Sequence, residues 1–440
     1  MSQTSFSLPE LPTAQTWVER CNNDGEFKIA ARYFTGVIRL NISEQVVELG
    51  VENGLAIPAM DSVNRSSGPE DGLKDGLKDG LKEGLVELSA TEDFWSHMLA
   101  AKPPRFFTDL LAAVNTGSDL ALSGDRLAYA QYYGAVMRAI ELLRPASSRP
   151  LAALPAGRKF DAPTGHYVHL QLGGLDHRIY FEEAGQGIPV LLQHTAGCHG
   201  SQWRHLMEDP RLTEKFRLIA YDLPYHGKSL PPVEKSWWAE RYELEGEFLR
   251  SVPCQLAKAL ELDQPVFIGC SVGGLLALDL AHKHADLFRA VVSVEGALNI
   301  PGDLKDFGHL WHPQISNDYK ARTMEGLMAP ESPLAYVKET SFVYASGWPQ
   351  SFIGDLHYYV TDYDLRDHAG DIDTSRVGVH IMSGEYDHSG TAELGKQASD
   401  AIAGSSWTFM EDVGHFPMSE NPQAFIDYLL PILDTIGTDS

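Results

Sequence analysis

Residues 28–52 alternate. Ile38, Leu40 and Ile42 are apolar around Arg39 and Asn41, and Val47, Leu49 and Val51 repeat the pattern around Glu48 and Glu52. Period two in two adjacent runs predicts an antiparallel hairpin with one buried face. Residues 91–145 turn mainly helical, around Phe94–Leu99 and Tyr129–Leu143, until Pro, Ser and Gly cluster between Arg144 and Gly157. That cluster places a domain boundary near 146–164. Beyond 165 the chain changes character. Pro189–Gln193, Phe216–Tyr221, Pro265–Gly269, Ala290–Val294 and Gly378–Met382 are short and mostly apolar, as strands buried on both faces are. Helical stripes lie between several of them, one through Val252, Leu256 and Leu260 and another over 274–284. Strand and helix alternation predicts an α/β architecture, a mostly parallel sheet with helices on both faces.

The length, 440 residues, exceeds what one hydrophobic core holds and agrees with two domains, 1–150 and 165–440. Four short units, Asp71-Gly-Leu-Lys, Asp75-Gly-Leu-Lys, Asp79-Gly-Leu-Lys and Glu83-Gly-Leu, form an internal repeat over 71–85. Asp/Lys pairs at i,i+3 favour a helix, but a glycine in every unit costs about 1 kcal/mol against alanine, so an insertion without fixed structure is expected. The net charge of −25 repels phosphate backbones and anionic lipid, which argues against nucleic-acid or membrane-surface partners. No apolar run approaches the roughly 20 residues of a spanning helix. Met1–Phe6 lacks the basic-then-apolar layout of a secretion signal, and Cys21, Cys198, Cys254 and Cys270 are too few and too irregular for a disulfide framework or a zinc cage. A reducing, cytoplasmic compartment is the expectation. Seventeen histidines include no H-E-x-x-H or paired Cys/His spacing, so no metal is expected.

The strongest chemical signal is Gly269-Cys270-Ser271-Val272-Gly273, which follows the apolar run Pro265–Ile268 and opens a helical segment. A G-x-S-x-G turn between strand and helix forces a strained backbone at the serine and leaves no room for a Cβ two residues to either side. It lifts the Ser271 hydroxyl clear of the sheet edge and aims the Val272 N–H at the reacting centre. A serine hydroxyl needs a base. His415, in Val413-Gly-His-Phe-Pro417, follows the strand-like Trp407–Met410 and precedes a helix with Asn421 and Pro422 at its start, burying Phe425, Leu429 and Ile432. A third group should orient that imidazole. Asp387, in the turn after 377–383, is the candidate, with Glu385 in the same turn and Glu295 after 290–294 as rivals. A second oxyanion donor requires a free N–H after an early strand, and Ala196 in Gln193-His-Thr-Ala-Gly197 fits; His194 reads as a hydrogen-bonding fastener of that loop. Cys198 and Cys270 flank the site as small packing residues.

Residues 165–440 resemble an α/β-hydrolase. Ser271, Asp387 and His415 stand in that family's order of nucleophile, acid and base. Tyr221-Asp-Leu-Pro-Tyr-His-Gly227-Lys-Ser229 is similar to its D-x-P-G-x-G-x-S loop, with Tyr225 in place of a glycine. In the Ala196 loop, Thr195 likewise stands where glycine is usual. The resemblance implies a serine hydrolase needing no cofactor, with a lid inserted between two late strands at 297–372. That range is rich in aromatic residues, among them Trp311, Tyr344, Trp348, Tyr358 and Tyr359. A lid facing Ser271 would make an apolar, partly aromatic pocket, for which His199, Trp203, Trp311, Trp348 and Tyr358 are the candidate lining residues. Residues 27–145, through Leu88–Leu99 and Leu120–Asp125, resemble the sterol-carrier-protein-2 class of α+β domains, sheets covered by helices that often hold an apolar tunnel; the 71–85 repeat departs from that pattern. The expected activity is hydrolysis of an ester or lactone of a hydrophobic or aromatic small molecule. C–C hydrolysis of a β-diketone or ring-cleavage product is the nearest rival, followed by a binding protein that has lost turnover and a lipid carrier led by the N-terminal domain. The oligomeric state is open.

Overall fold

A computed structural model describes residues 7–59, 84–152 and 160–438. Up to residue 83 the 71–85 repeat lies outside the described residues, as do 153–159 within the expected boundary. The chain divides into two compact units, Met1–Ser148 with Pro313–Gly326, and Arg149–His312 with Leu327–Ser440.

The first unit carries a five-stranded sheet of β1 (Gly36–Ile42), β2 (Gln45–Glu52), β3 (Leu55–Pro58), β4 (Leu85–Ala90) and β5 (Ala121–Gly124), in the order β3-β2-β1-β4-β5. β1 and β2 form the alternating hairpin, with Ile38 opposite Leu49 and Leu40 opposite Val47. Ile38, Leu40 and Leu49 are fully buried. The alternation does not extend back to residue 28: Gly25–Ala30 is a helix, because the Asp24 side chain accepts the Phe27 N–H at 2.7 Å and caps it, and Phe27 is buried. The segment Pro313–Gly326, inside the range expected for the lid, packs with this unit. Arg322 donates to Glu141 at 2.5 Å, and the Thr108 hydroxyl donates to the Gly326 carbonyl at 3.2 Å.

The second unit is built on an eight-stranded sheet: β6 (Thr164–Leu172), β7 (Leu175–Gly185), β8 (Ile188–Gln193), β9 (Phe216–Tyr221), β10 (Val266–Cys270), β11 (Ala290–Val294), β12 (Gly378–Gly384) and β13 (Ser406–Met410). The order is β13-β12-β11-β10-β8-β9-β7-β6, parallel from β13 to β9 and antiparallel at β7 and β6. Every residue of β10 and β11 is buried, which explains their mostly apolar sequences; Ser293 in β11 donates its hydroxyl to the Gly274 carbonyl at 2.8 Å. One face packs Val266, Ile268, Val292 and Met382 against Trp203, Phe425, Leu429 and Leu433.

Register sets the position of the site. Gly269 pairs with Gln193, Cys270 with Val294, Val294 with Met382, and Gly384 with Met410. The carboxyl ends of β8, β10, β11, β12 and β13 therefore fall on one edge. Chain order reverses at β8, whose neighbours are β10 and β9, and such a switch point opens a crevice beyond the strand ends. The segment between β11 and β12 is largely helical, including Leu334–Ser346 and Pro349–His357, the second running into one π-helical turn at Tyr358–Asp362; a 3₁₀ turn at Ala369–Asp371 follows before β12.

Candidate active site

Ser271 sits between the end of β10 and the helix Val272–Lys283 with φ 59° and ψ −115°. A non-glycine residue held there stores on the order of 1–3 kcal/mol of strain, sustained only when its surroundings enforce it. Here the Ser271 N–H donates to the Val294 carbonyl at 2.9 Å, and the helix closes on its carbonyl from Leu275 at 2.9 Å. A Cβ on Gly269 would collide with the carbonyl of Gly273 and lie 2.7 Å from its Cα; one on Gly273 would lie 2.7 Å from Gln193 Cγ. The first obstacle is backbone at far below contact distance; the second is a side-chain carbon, with the Gln193 carbonyl oxygen next at 3.0 Å. Gly269→Ala is therefore expected to destabilise by about 3 kcal/mol, a fall in Tm of about 6 °C or more, and Gly273→Ala by distinctly less. Calorimetry of both variants checks the ranking; equal losses would contradict the collision at Gly269.

His415 lies in the loop after β13, buried, and its Nδ1 is 2.7 Å from Asp387 Oδ2. That contact fixes the tautomer: a carboxylate accepts from Nδ1–H, leaving the Nε2 lone pair free. The loop touches the elbow through the Cys270 thiol, 3.2 Å from the His415 carbonyl. Asp387 also accepts the N–H groups of Ser389 at 2.7 Å and Gly390 at 3.0 Å. Burial opposes its ionisation, but the His415 ring and the Ser389 N–H hold its carboxyl below the ordinary range. Of its rivals, Glu385 accepts the Asp412 N–H at 3.0 Å. Glu295 is fully buried and takes the Gly384 N–H at 2.9 Å; burial and the nearby Asp387 charge raise its carboxyl well above the usual range.

The loop after β8 is fastened on three sides. His194 accepts the Leu223 N–H on Nε2 at 3.1 Å and donates from Nδ1 to the Thr195 carbonyl at 2.8 Å; burial and the nearby His226 lower its pKa and keep it neutral. The Thr195 N–H goes to Gln202 Oε1 at 3.0 Å and the Gly197 N–H to Asp355 Oδ2 at 2.7 Å. The Ala196 N–H between them has no acceptor among the described residues. Thr195 does not require the left-handed region, so its Cβ is tolerated where glycine is usual; Tyr225 does occupy it, at φ 72°. Asp355, completely buried, also receives His226 Nε2 at 2.9 Å and the Tyr242 hydroxyl at 3.2 Å.

Four residues here carried no clear sequence signal. Asp355 and Tyr359 come from the β11–β12 insertion, and the Tyr359 hydroxyl engages both Ser271 and, at 3.0 Å, Ser389. His226 belongs to the Asp222–Ser229 stretch, and Glu420 follows His415 by five residues. The last two therefore lay within or beside a motif, and the first two did not.

The candidate lining residues separate. His199 and Trp348 border a cavity of about 560 Å³ shared with Tyr180, Tyr225, Lys228 and Trp237; Ser271, Val272 and His415 are not in its wall. Trp203 is corrected: it is fully buried in the sheet core against Phe425, a packing residue. Tyr358 is also interior, donating its hydroxyl to Asp279 at 3.1 Å. Trp311 is 43% exposed and is absent from that wall. The aromatic groups packed around the Ala196 and His415 loops are instead Tyr344, Phe352 and Phe416. Burial raises the Cys270 thiol well above its usual pKa, which suits a packing role. Among the described residues, His282, His368 and Asp371 place three ligand atoms within 4.8 Å of one another, at the far end of the helix that begins after Ser271. Among those residues, no helix is long and apolar enough to cross a membrane.

Residues 190–428 match the model of the alpha/beta hydrolase family. The chain is 26% identical over 266 residues to the pimeloyl-[acyl-carrier protein] methyl ester esterase of Vibrio vulnificus strain YJ016, covering 57% of this chain and 96% of that one. It is 29% identical over 144 residues to 2-hydroxy-6-oxononadienedioate/2-hydroxy-6-oxononatrienedioate hydrolase 1 of Dechloromonas aromatica strain RCB, 32% of this chain and 47% of that one. A thermophilic esterase from Thermogutta terrifontis superposes with a TM-score of 0.54 at 18% identity, covering 62% of this chain and all of its own. With a match across more than half its length and a sheet whose strand ends gather the elbow and its neighbouring loops, the chain belongs to the alpha/beta hydrolase family.

Proposed function

We propose that the protein is a serine hydrolase that cleaves an acyl bond, a carboxylic ester or lactone, of a hydrophobic or aromatic small molecule. The observation that carries this reading is the 2.7 Å contact between His415 Nδ1 and Asp387 Oδ2 in a loop resting on the elbow. In the proposed sequence, Nε2 of His415 takes the Ser271 proton as Oγ attacks the carbonyl. The Ala196 and Val272 N–H groups receive the oxyanion, and His415 returns the proton to the leaving alcohol. Water then repeats the cycle on the acyl-enzyme. Asp387 orients the ring and stabilises the imidazolium. Tyr344, Phe352, Phe416 and Tyr359 supply the apolar surroundings that favour an aromatic or aliphatic acyl group. The similarity to a methyl ester esterase supports ester cleavage. The shorter similarity to a 2-hydroxy-6-oxononadienedioate hydrolase supports a second reading, C–C cleavage by the same three residues. For the first unit, its helix-covered sheet is compatible with an apolar-binding or a purely structural role.

Fluorophosphonate labelling with peptide mapping tests the nucleophile. The adduct is expected on the peptide holding Ser271 and absent from Ser271→Ala; labelling elsewhere, or equal labelling of both proteins, removes the assignment. Turnover of p-nitrophenyl esters against a β-diketone panel separates the two bond types.

A further inference from the structure

We propose that Glu420 is a positioning residue, whose carboxylate anchors the His415 loop to the segment 327–332 of the β11–β12 insertion. This rests on the reading of His415 as the base. Glu420 Oε1 accepts the Gly414 N–H at 2.6 Å and the Phe416 N–H at 3.4 Å, the two amides flanking His415. Oε2 accepts the Ala329 N–H at 2.8 Å and the Ser332 hydroxyl at 3.0 Å. The His415 N–H goes to the Leu327 carbonyl at 2.9 Å. Three consecutive amides are thus fixed, two through one carboxylate and one by the insertion directly. Glu420 is fully buried, and among the described residues no cation pairs with it. A carboxylate given four donors and no counter-ion holds the loop by directional bonds.

Burial pushes the Glu420 carboxyl up to about 7, against the pull of its donors. Around it, Glu295 and Cys270 are buried and lie within reach of its charge, and His415 stands in the loop it holds. The helix Leu334–Ser346 and the turn Arg204–Met207 also pack on Pro417–Glu420, but their Glu339, Arg204 and His205 pair with one another. On the following helix Pro422–Thr438, Asp427 and Asp434 pair with Arg211 and Lys215, and Tyr428 accepts the Glu411 N–H. The sign follows from the donors. Three of the four are N–H groups that can only donate, so an added proton must oppose one of them or turn the Ser332 hydroxyl round, and the anchor weakens as pH falls through about 7.

The test compares wild type, Glu420→Gln and Ser332→Ala by fluorophosphonate labelling rate, steady-state ester kinetics and hydrogen exchange. At pH 8, Glu420→Gln is expected to lower the labelling rate and kcat about 10²-fold with KM within about threefold, the loss expected when the base is misplaced. Ser332→Ala, which removes one donor on the far oxygen, is expected to lose about fivefold and serves alone if the first variant does not fold. In wild type the labelling rate falls below pH 7 more steeply than one proton allows; in Glu420→Gln the fall follows a single proton, which a merely structural residue would not produce. Exchange of the peptide spanning 411–418 rises at least about tenfold in Glu420→Gln, since local opening governs protection. Wild-type labelling rates, superimposable pH profiles and unchanged exchange in the folded variants would overturn the proposal. Absence of label on Ser271 in wild type, with the exchange effect intact, would instead overturn the catalytic reading and leave the anchor standing.

Discussion

Replacing Asp387 with Asn is expected to lower kcat/KM for an ester substrate about 10⁴-fold, while Glu385→Gln changes it by less than about threefold. The introduced carboxamide would present one of two faces to His415 Nδ1. An amide N–H would reverse the tautomer and occupy the Nε2 lone pair with a proton; a carbonyl would lack the charge that stabilises the imidazolium. Glu385 accepts the Asp412 amide, and among the described residues no hydrogen bond joins it to His415 or Asp387. Glu295 is the informative intermediate case. Its carboxyl is fully buried beside Asp387 and is raised well above the usual range by burial and by that neighbouring charge. Gln is a neutral isostere of the protonated acid, so Glu295→Gln is expected to lose less than about tenfold. Glu295→Leu leaves the Gly384 N–H without its acceptor and should cost stability, about 1–3 kcal/mol for one orphaned buried amide. Steady-state kinetics and thermal melts on the four variants check the ranking. Comparable catalytic losses at Asp387 and Glu295 would mean that the two carboxyls work as one group.

The sheet was legible because β8, β9, β10, β11 and β12 are buried over most or all of their length and so carry short, mostly apolar runs. The elbow was legible because close approach leaves no room for a Cβ at Gly269, against the Gly273 backbone, and little at Gly273, against Gln193. His415 and Asp387 were chosen from their positions at strand ends, and their side chains lie 2.7 Å apart. What composition hid was partnership. Trp203 read as a pocket aromatic because it follows the Ala196 loop by seven positions, but the short 3₁₀ turn Gly200–Trp203 swings its ring into the core. The β11–β12 insertion gave an aromatic count and no contacts, yet it supplies Asp355 to the Gly197 amide, Leu327 to the His415 amide and Tyr359 to Ser271. Its segment 313–326 packs with the first unit, which aromatic content had no means to report. Periodicity describes which face of an element is buried; it is silent on which buried polar group finds which partner across more than 100 residues.

Partnership also sets the second large effect. Ser271→Ala and His415→Ala are each expected to lower kcat about 10⁵–10⁶-fold, and the double variant no further. If each side chain stabilised the transition state by itself, the double loss would be the product of the two. A hydroxyl attacks only while its proton is being taken, however, so removing either group removes the same step. The residual rate in all three proteins then belongs to groups the substitutions leave in place, the Ala196 and Val272 amides, and is expected at about 10³–10⁴ above the uncatalysed reaction. The Ala196 amide depends on a loop pinned by Asp355, which is buried with His226 and distant in sequence from the triad. Asp355→Asn combined with Ser271→Ala should therefore lower that residual rate further, by about 10-fold or more, where adding His415→Ala does not. Turnover of an activated ester at high enzyme concentration, corrected for the uncatalysed rate, measures all of these rates. A double variant at Ser271 and His415 far below either single one would show two independent contributions and break the proposed triad apart.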